Sequence, residues 1–313
     1  MEITLQALLF VGGLALALVA SDRAVAYTRA LASALGAPAF LVGVVLVSVG
    51  TDLPEIANSI AAHVQGEGDV NVGDSVGSTL TQYTLVLGFF PLVVGALVIE
   101  RRQVGVVTAM TMLGLVLTSF FVADGWLGRW EGVALVLAWA AFTWLVVRLV
   151  TGMAPDEAPA VAVAGRLGQA AVVLGALAAV GLGATVAVRA LVRIAELAGV
   201  PEFVIAFFGA SLGTSAPEIV VDVTALLRGA PGIALGDALG SSLVDSTLSI
   251  GVGPIVAPAE VTPRLALTGT IYTLVAVGAV GALLGGRRRH DHVSMLVLFA
   301  LYLLAYAVLL SAD

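Results

Sequence analysis

The chain has 313 residues, of which 60% are hydrophobic and 11% charged, against about 25% charged in an ordinary soluble domain. With a mean hydropathy of +1.08, it has too few charges to cover a soluble protein of this size and reads as an all-α polytopic membrane protein in a lipid bilayer. There is no cysteine and every one of the 14 basic residues is arginine, so disulfides, thiolate chemistry and Schiff-base or P-loop lysines are excluded. The net charge of −7 comes without a basic stripe, so no nucleic-acid partner is expected.

Charges punctuate the chain at bilayer spacing, since a crossing helix needs about 20 apolar residues. The first run, 3–21, follows Met1-Glu2 without a positive segment, so it reads as a span and not a cleaved signal. Further runs cover 30–51, 75–99, 103–123, 132–147, 167–188, 203–217, 246–259, 265–286 and 293–312. They predict ten transmembrane helices: a first set of five in 1–150, a Pro/Ala linker in 151–166, and a second set of five in 167–313. Arginine placement sets the orientation, because basic residues gather on the cytoplasmic side. Arg23, Arg29, Arg101, Arg102, Arg148, Arg166, Arg228 and Arg287–Arg289 fall on the linker's side, and Arg129, Arg189, Arg193 and Arg264 on the other. Both termini are therefore expected outside and the linker in the cytoplasm, in the plasma membrane of a prokaryote.

Sliding the sequence by 163 residues superposes its halves. Gly36, Pro38 and Phe40 meet Gly199, Pro201 and Phe203; Ser48 and Gly50-Thr51 meet Ser211 and Gly213-Thr214; Pro54-Glu55 meets Pro217-Glu218; Gly73-Asp74 meets Gly236-Asp237; Gly77-Ser78 meets Gly240-Ser241; Pro91 meets Pro254. Five spans per half is an odd number, so the second copy is expected to enter the membrane from the opposite side, as in transporters built from inverted repeats. Pro54 and Pro217 sit inside predicted helices and should break them, freeing the carbonyls of Gly50 and Gly213. A threonine and a glutamate stand beside each break. Hydroxyl, carbonyl and carboxylate oxygens converging there suit a hard cation such as Ca²⁺ or Na⁺, and carboxylates at bilayer depth point to function.

The segments Gly50-Thr51-Asp52-Leu53-Pro54-Glu55 and Gly213-Thr214-Ser215-Ala216-Pro217-Glu218 resemble the G-T-S-x-P-E signature of the two alpha repeats in the cation/Ca²⁺ exchanger superfamily. Gly73–Ser78 and Gly236–Ser241 look like its second element, and the likeness is greatest to prokaryotic Na⁺/Ca²⁺ exchangers. The resemblance implies an antiporter, not an enzyme, that alternates access while carrying Ca²⁺ and Na⁺ and needs no cofactor. It implies a Ca²⁺ site around Glu55 and Glu218 with the backbone of Thr51 and Thr214. It implies Na⁺ sites at Ser48, Ser78, Ser211, Ser215 and Ser241, and a central polar position at Gln82 and Asp245. The peripheral helices near 3–21 and 167–188 would slide, with Gly12-Gly13 and Gly181/Gly183 permitting close packing.

Three residues depart from that pattern: Asp52 replaces serine, Gln82 replaces asparagine, and Asp222 replaces a small hydroxyl residue. Asp52, Glu55, Glu218 and Asp245 could put four carboxylates in one pocket, which cannot all ionise without matching cations. The alternative function is therefore a Ca²⁺/H⁺ or other divalent-cation/H⁺ antiporter using Asp52. From other classes, an aspartyl protease lacks its G-x-G-D motif and a channel lacks a filter-like loop. Asp74 and Asp237 are expected as helix N-caps, Asp222 as a vestibule residue paired with Arg228, His63 as an exposed loop residue, and His290 and His292 as solvated.

Overall fold

A computed structural model describes residues 2–151, 165–197 and 215–310. Eleven helical runs cover most of them: α1 Glu2–Leu35, α2 Ala39–Thr51, α3 Leu53–Val64, α4 Gly68–Val94, α5 Arg101–Phe121, α6 Arg129–Val150, α7 Arg166–Leu197, α8 Ala216–Leu227, α9 Pro231–Val256, α10 Pro263–Arg287 and α11 His292–Leu310. Seven of these are long and apolar enough to cross a membrane, or eight if the broken pair α2–α3 is one span. The expected run at 203–217 falls almost wholly outside the described residues, as do Thr214, Ser211 and most of the linker.

Element boundaries differ from the charge-free runs in an instructive way. α1 continues through Asp22, Arg23 and Arg29 to Leu35, α4 begins before Asp74, and α9 passes through Asp237 and Asp245. A charge does not end a helix whose backbone bonds are all internal; it only has to find a neighbour or a wet end. The repeat survives at element level, with α3 and α8 starting 163 residues apart, as do α4 and α9.

The chain divides into two compact units that interleave its halves: Met1–Leu53 with Ala154–Asp237, and Pro54–Met153 with Ala238–Asp313. In the first unit, α1 packs along α7. A Cβ on Gly13 would stand 2.6 Å from the Gly183 carbonyl, and one on Gly183 would stand 2.6 Å from that of Gly13. Only hydrogen fits at either place, which is how small residues let membrane helices approach. Arg193 meets Glu2 at 2.7 Å and Gly13 faces Ala187 while Gly183 faces Ala17, so α1 and α7 run antiparallel. α2 and the first turns of α9 meet as closely, with a Gly43 Cβ falling 2.8 Å from the Ile233 carbonyl.

In the second unit, two short ladders tie the loops. β1 Leu97–Val98 pairs with β4 Arg289–His290, and β2 Trp126–Leu127 pairs with β3 Ala259–Glu260, both antiparallel. α5 runs from the first ladder to the second and α10 runs back from the second to the first, so these helices too are antiparallel. Arg101 at the start of α5 donates to the Gly286 carbonyl at the end of α10 (2.9 Å). α6 lies on α9 where Gly132 and Gly251 face each other's carbonyls.

Candidate functional site

The expected break at Pro54 is present, two residues ahead of the proline, while what precedes Ser215 in the second repeat lies outside the described residues. α2 ends at Thr51, Asp52 has φ −81°, ψ 5°, and α3 starts at Leu53. At the equivalent place Ser215 has φ −87°, ψ 10°, and α8 starts at Ala216. Both residues fall in the bridge region, outside regular helix. Pro54 and Pro217 thereby become the second residue of the new helix, where a missing N–H costs nothing because that donor has no intrahelical partner. Each glutamate follows in the first turn, beside the positive end of its helix.

In the first unit, Ser48, Thr51, Asp52, Ser215, Glu218, Asp222 and Asp237 are all buried. Ser48 Oγ donates to the Val44 carbonyl (2.6 Å) and Thr51 Oγ1 lies 3.2 Å from Asp237 Oδ1. Carboxylate oxygens of Asp52 and Glu218 come within 4.8 Å of one another. Asp222 neighbours Asp237 and Asp52 within this buried group. Ser215 Oγ has no hydrogen-bond partner among the described residues. Asp222 is therefore no vestibule residue paired with Arg228: it is fully buried, and Arg228 pairs with Asp22 at 2.5 Å.

In the second unit, Glu55, Ser78, Gln82, Ser241 and Asp245 are buried. Gln82 opens a π-helical stretch, Gln82–Val86, and Asp245 lies in another, Val244–Ser249. The two stretches occupy equivalent places in the repeat. A π-turn skips one backbone bond and turns adjacent side chains to a new direction, and such turns gather at functional sites. Ser78 Oγ and Gln82 Oε1 are buried without a partner among the described residues, an arrangement that calls for an ion or water. The first unit thus presents hydroxyl and carboxylate oxygens and the second adds the Gln82 amide oxygen, the donor set of a hard cation.

Several expectations need correction. Asp74 and Asp237 lie inside α4 and α9 and cap nothing; Asp74 accepts from Asn58 Nδ2 at 2.7 Å. His63 is buried, with Nδ1 2.8 Å from the Ala257 carbonyl. His290 is buried as well, with Nε2 2.6 Å from the Leu87 carbonyl and Nδ1 2.7 Å from Ser294 Oγ. Both histidines bind backbone carbonyls, which carry no signature in sequence. His292 is exposed, as expected. Of the glycines singled out for sliding, Gly13 and Gly183 make the close contact, whereas a Cβ on Gly12 would meet nothing within 4 Å.

The family model described as sodium/calcium exchanger protein matches residues 5–148 and 168–310. The chain is 31% identical over 258 residues to a protein of Alkalimonas amylolytica assigned as the antiporter CaxA, covering 79% of each. It is 25% identical to the sodium/calcium exchanger MaX1 of Methanosarcina acetivorans, covering 89% of this chain and 90% of that one. Its fold matches a solved structure of the sodium-calcium exchanger NCX_Mj with a TM-score of 0.81 and 21% identity, over 97% of this chain and 99% of the other.

Proposed function

Because the chain belongs to the sodium/calcium exchanger family, we propose that it is a secondary antiporter that moves Ca²⁺ against Na⁺ by alternating access. The observation that carries this reading is the pair of matched helix starts after Asp52 and Ser215, each followed by a buried glutamate, Glu55 and Glu218. Glu55 and Glu218 are the principal Ca²⁺ ligands, joined by the backbone of Thr51 and Thr214. Ser48, Ser78, Ser211, Ser215 and Ser241 serve Na⁺, with Gln82 and Asp245 between them. Ten spans in two inverted sets of five, 1–150 and 167–313, fit the antiparallel run of the equivalent helices α1 and α7 and of α5 and α10.

In proteoliposomes, an outward Na⁺ gradient should drive Ca²⁺ uptake, and Glu55→Ala or Glu218→Ala should abolish it. Normal transport by either variant would sink the site assignment. A second reading, exchange of a divalent cation against protons, draws on Asp52, Glu218, Asp222 and Asp237 lying buried in one unit. Four carboxyls there exceed the charge of one Ca²⁺, and unmatched charges at bilayer depth take up protons instead. Uptake that ignores Na⁺ but follows a pH gradient would establish it. Under that reading Asp52→Ser lowers the number of protons exchanged per cation, measured as a shift in the reversal potential.

A further inference from the structure

Pro91 and Pro254 are equivalent in the repeat and lie inside α4 and α9. Each lacks an N–H, so the carbonyl four residues earlier, Leu87 or Ile250, loses its helical partner. Those two carbonyls sit immediately after the π-helical stretches that carry Gln82 and Asp245. Leu87 and Ile250 are fully buried, so an orphaned carbonyl at either place has no water to turn to. Neither is orphaned. The Leu87 carbonyl accepts from His290 Nε2 at 2.6 Å, and the Ile250 carbonyl accepts from Asn71 Nδ2 at 3.1 Å. The two side chains are unrelated in the repeat and come from different elements, β4 and α4. The same problem at both prolines has therefore been solved twice, by different residues, within one unit.

We propose that His290 and Asn71 are positioning residues that hold the register of the two ligand-bearing π-turns. A helix can relax from π to α geometry when a freed carbonyl is allowed to tilt and recruit another amide. Holding each carbonyl from the side removes that route, and so fixes where Gln82 and Asp245 point. His290 must carry a proton on Nε2 to donate, and its Nδ1 lies 2.7 Å from Ser294 Oγ, which also lies 2.8 Å from the Asp291 carbonyl. This inference rests on reading Gln82 and Asp245 as ion-contacting residues.

The test is a suppressor cycle in the full-length protein in proteoliposomes. Removing the donor with His290→Leu or Asn71→Leu should raise the half-saturating cation concentration about tenfold, the effect of leaving one buried acceptor unmade, with a smaller change in maximal rate. His290→Gln, which keeps an N–H donor, should stay near wild type. Replacing the proline returns the missing N–H, so Pro91→Ala should restore affinity to His290→Leu but not to Asn71→Leu, and Pro254→Ala the reverse. Thermal midpoints of the same purified variants should show the same pairing. A His290→Leu defect that Pro91→Ala does not relieve in either readout would overturn the proposal, as would unchanged affinity in both leucine variants. A Gln82→Ala variant with unaltered affinity would instead strike the reading of the site, leaving the suppressor pairing in the thermal midpoints to be judged alone.

Discussion

His290 is a buried imidazole that donates to a carbonyl, and burial favours its neutral ring. Burial holds its pKa below 6.5, against the opposing pull of the Leu87 carbonyl and the Asp291 charge. The unfolded chain then binds the proton more readily than the folded one, so stability from neutral His290 is full above pH about 6.5 and declines as pH falls below it. The Asp291 carboxyl is held below its ordinary 3.8, chiefly by the Ser294 backbone N–H, and its contribution is lost only at lower pH. Thermal midpoints in detergent between pH 8 and pH 5 should therefore drop in the wild type and drop less in His290→Gln. At this scale the sequence shows acids well and histidines poorly. Glu55 and Glu218 stand out because a carboxylate in apolar sequence needs a reason, whereas His63 and His290 look solvated beside polar neighbours. Their partners, Ala257 and Leu87, lie 194 and 203 residues away and contribute only backbone.

Among elements, the contact of α1 with α7 is governed by the absence of side chains. Gly13→Val would drive a methyl into the Gly183 carbonyl and cost about 1–3 kcal/mol through forced separation of the helices. Gly12→Val, with open space around it, should leave the thermal midpoint unchanged and serves as the control. Hydrophobic runs located most of the helices, and the 163-residue offset predicted that α3 and α8 would match. The runs missed where helices end, because Asp22, Asp74, Asp237 and Asp245 interrupt hydrophobicity without interrupting backbone bonding. The π-turns were also hidden, since nothing in Gln82–Val86 distinguishes a skipped bond from an ordinary one.

For the whole molecule, orientation is the property most open to a simple measurement. The chain has no cysteine, so a single one placed in the linker, as in Ala158→Cys, is the only target for a thiol reagent. With the linker cytoplasmic, an impermeant maleimide should label it in inverted vesicles and spare it in intact cells; the opposite pattern would reverse the topology read from the arginines.

The hydrogen bond from His290 to Leu87 also has a bearing on biogenesis. Its partners are separated by 203 residues, and the chain is made from the N-terminus. At about 5–20 residues per second, roughly 10–40 s pass between their syntheses. Throughout that interval α4 lies in or near the membrane with the Leu87 carbonyl unanswered, as Ile250 never is, because Asn71 is made first. The first half of the chain therefore waits for the second in an unfinished state, and a truncation before residue 290 should leave α4 more exposed to membrane proteases than one just after Ser294.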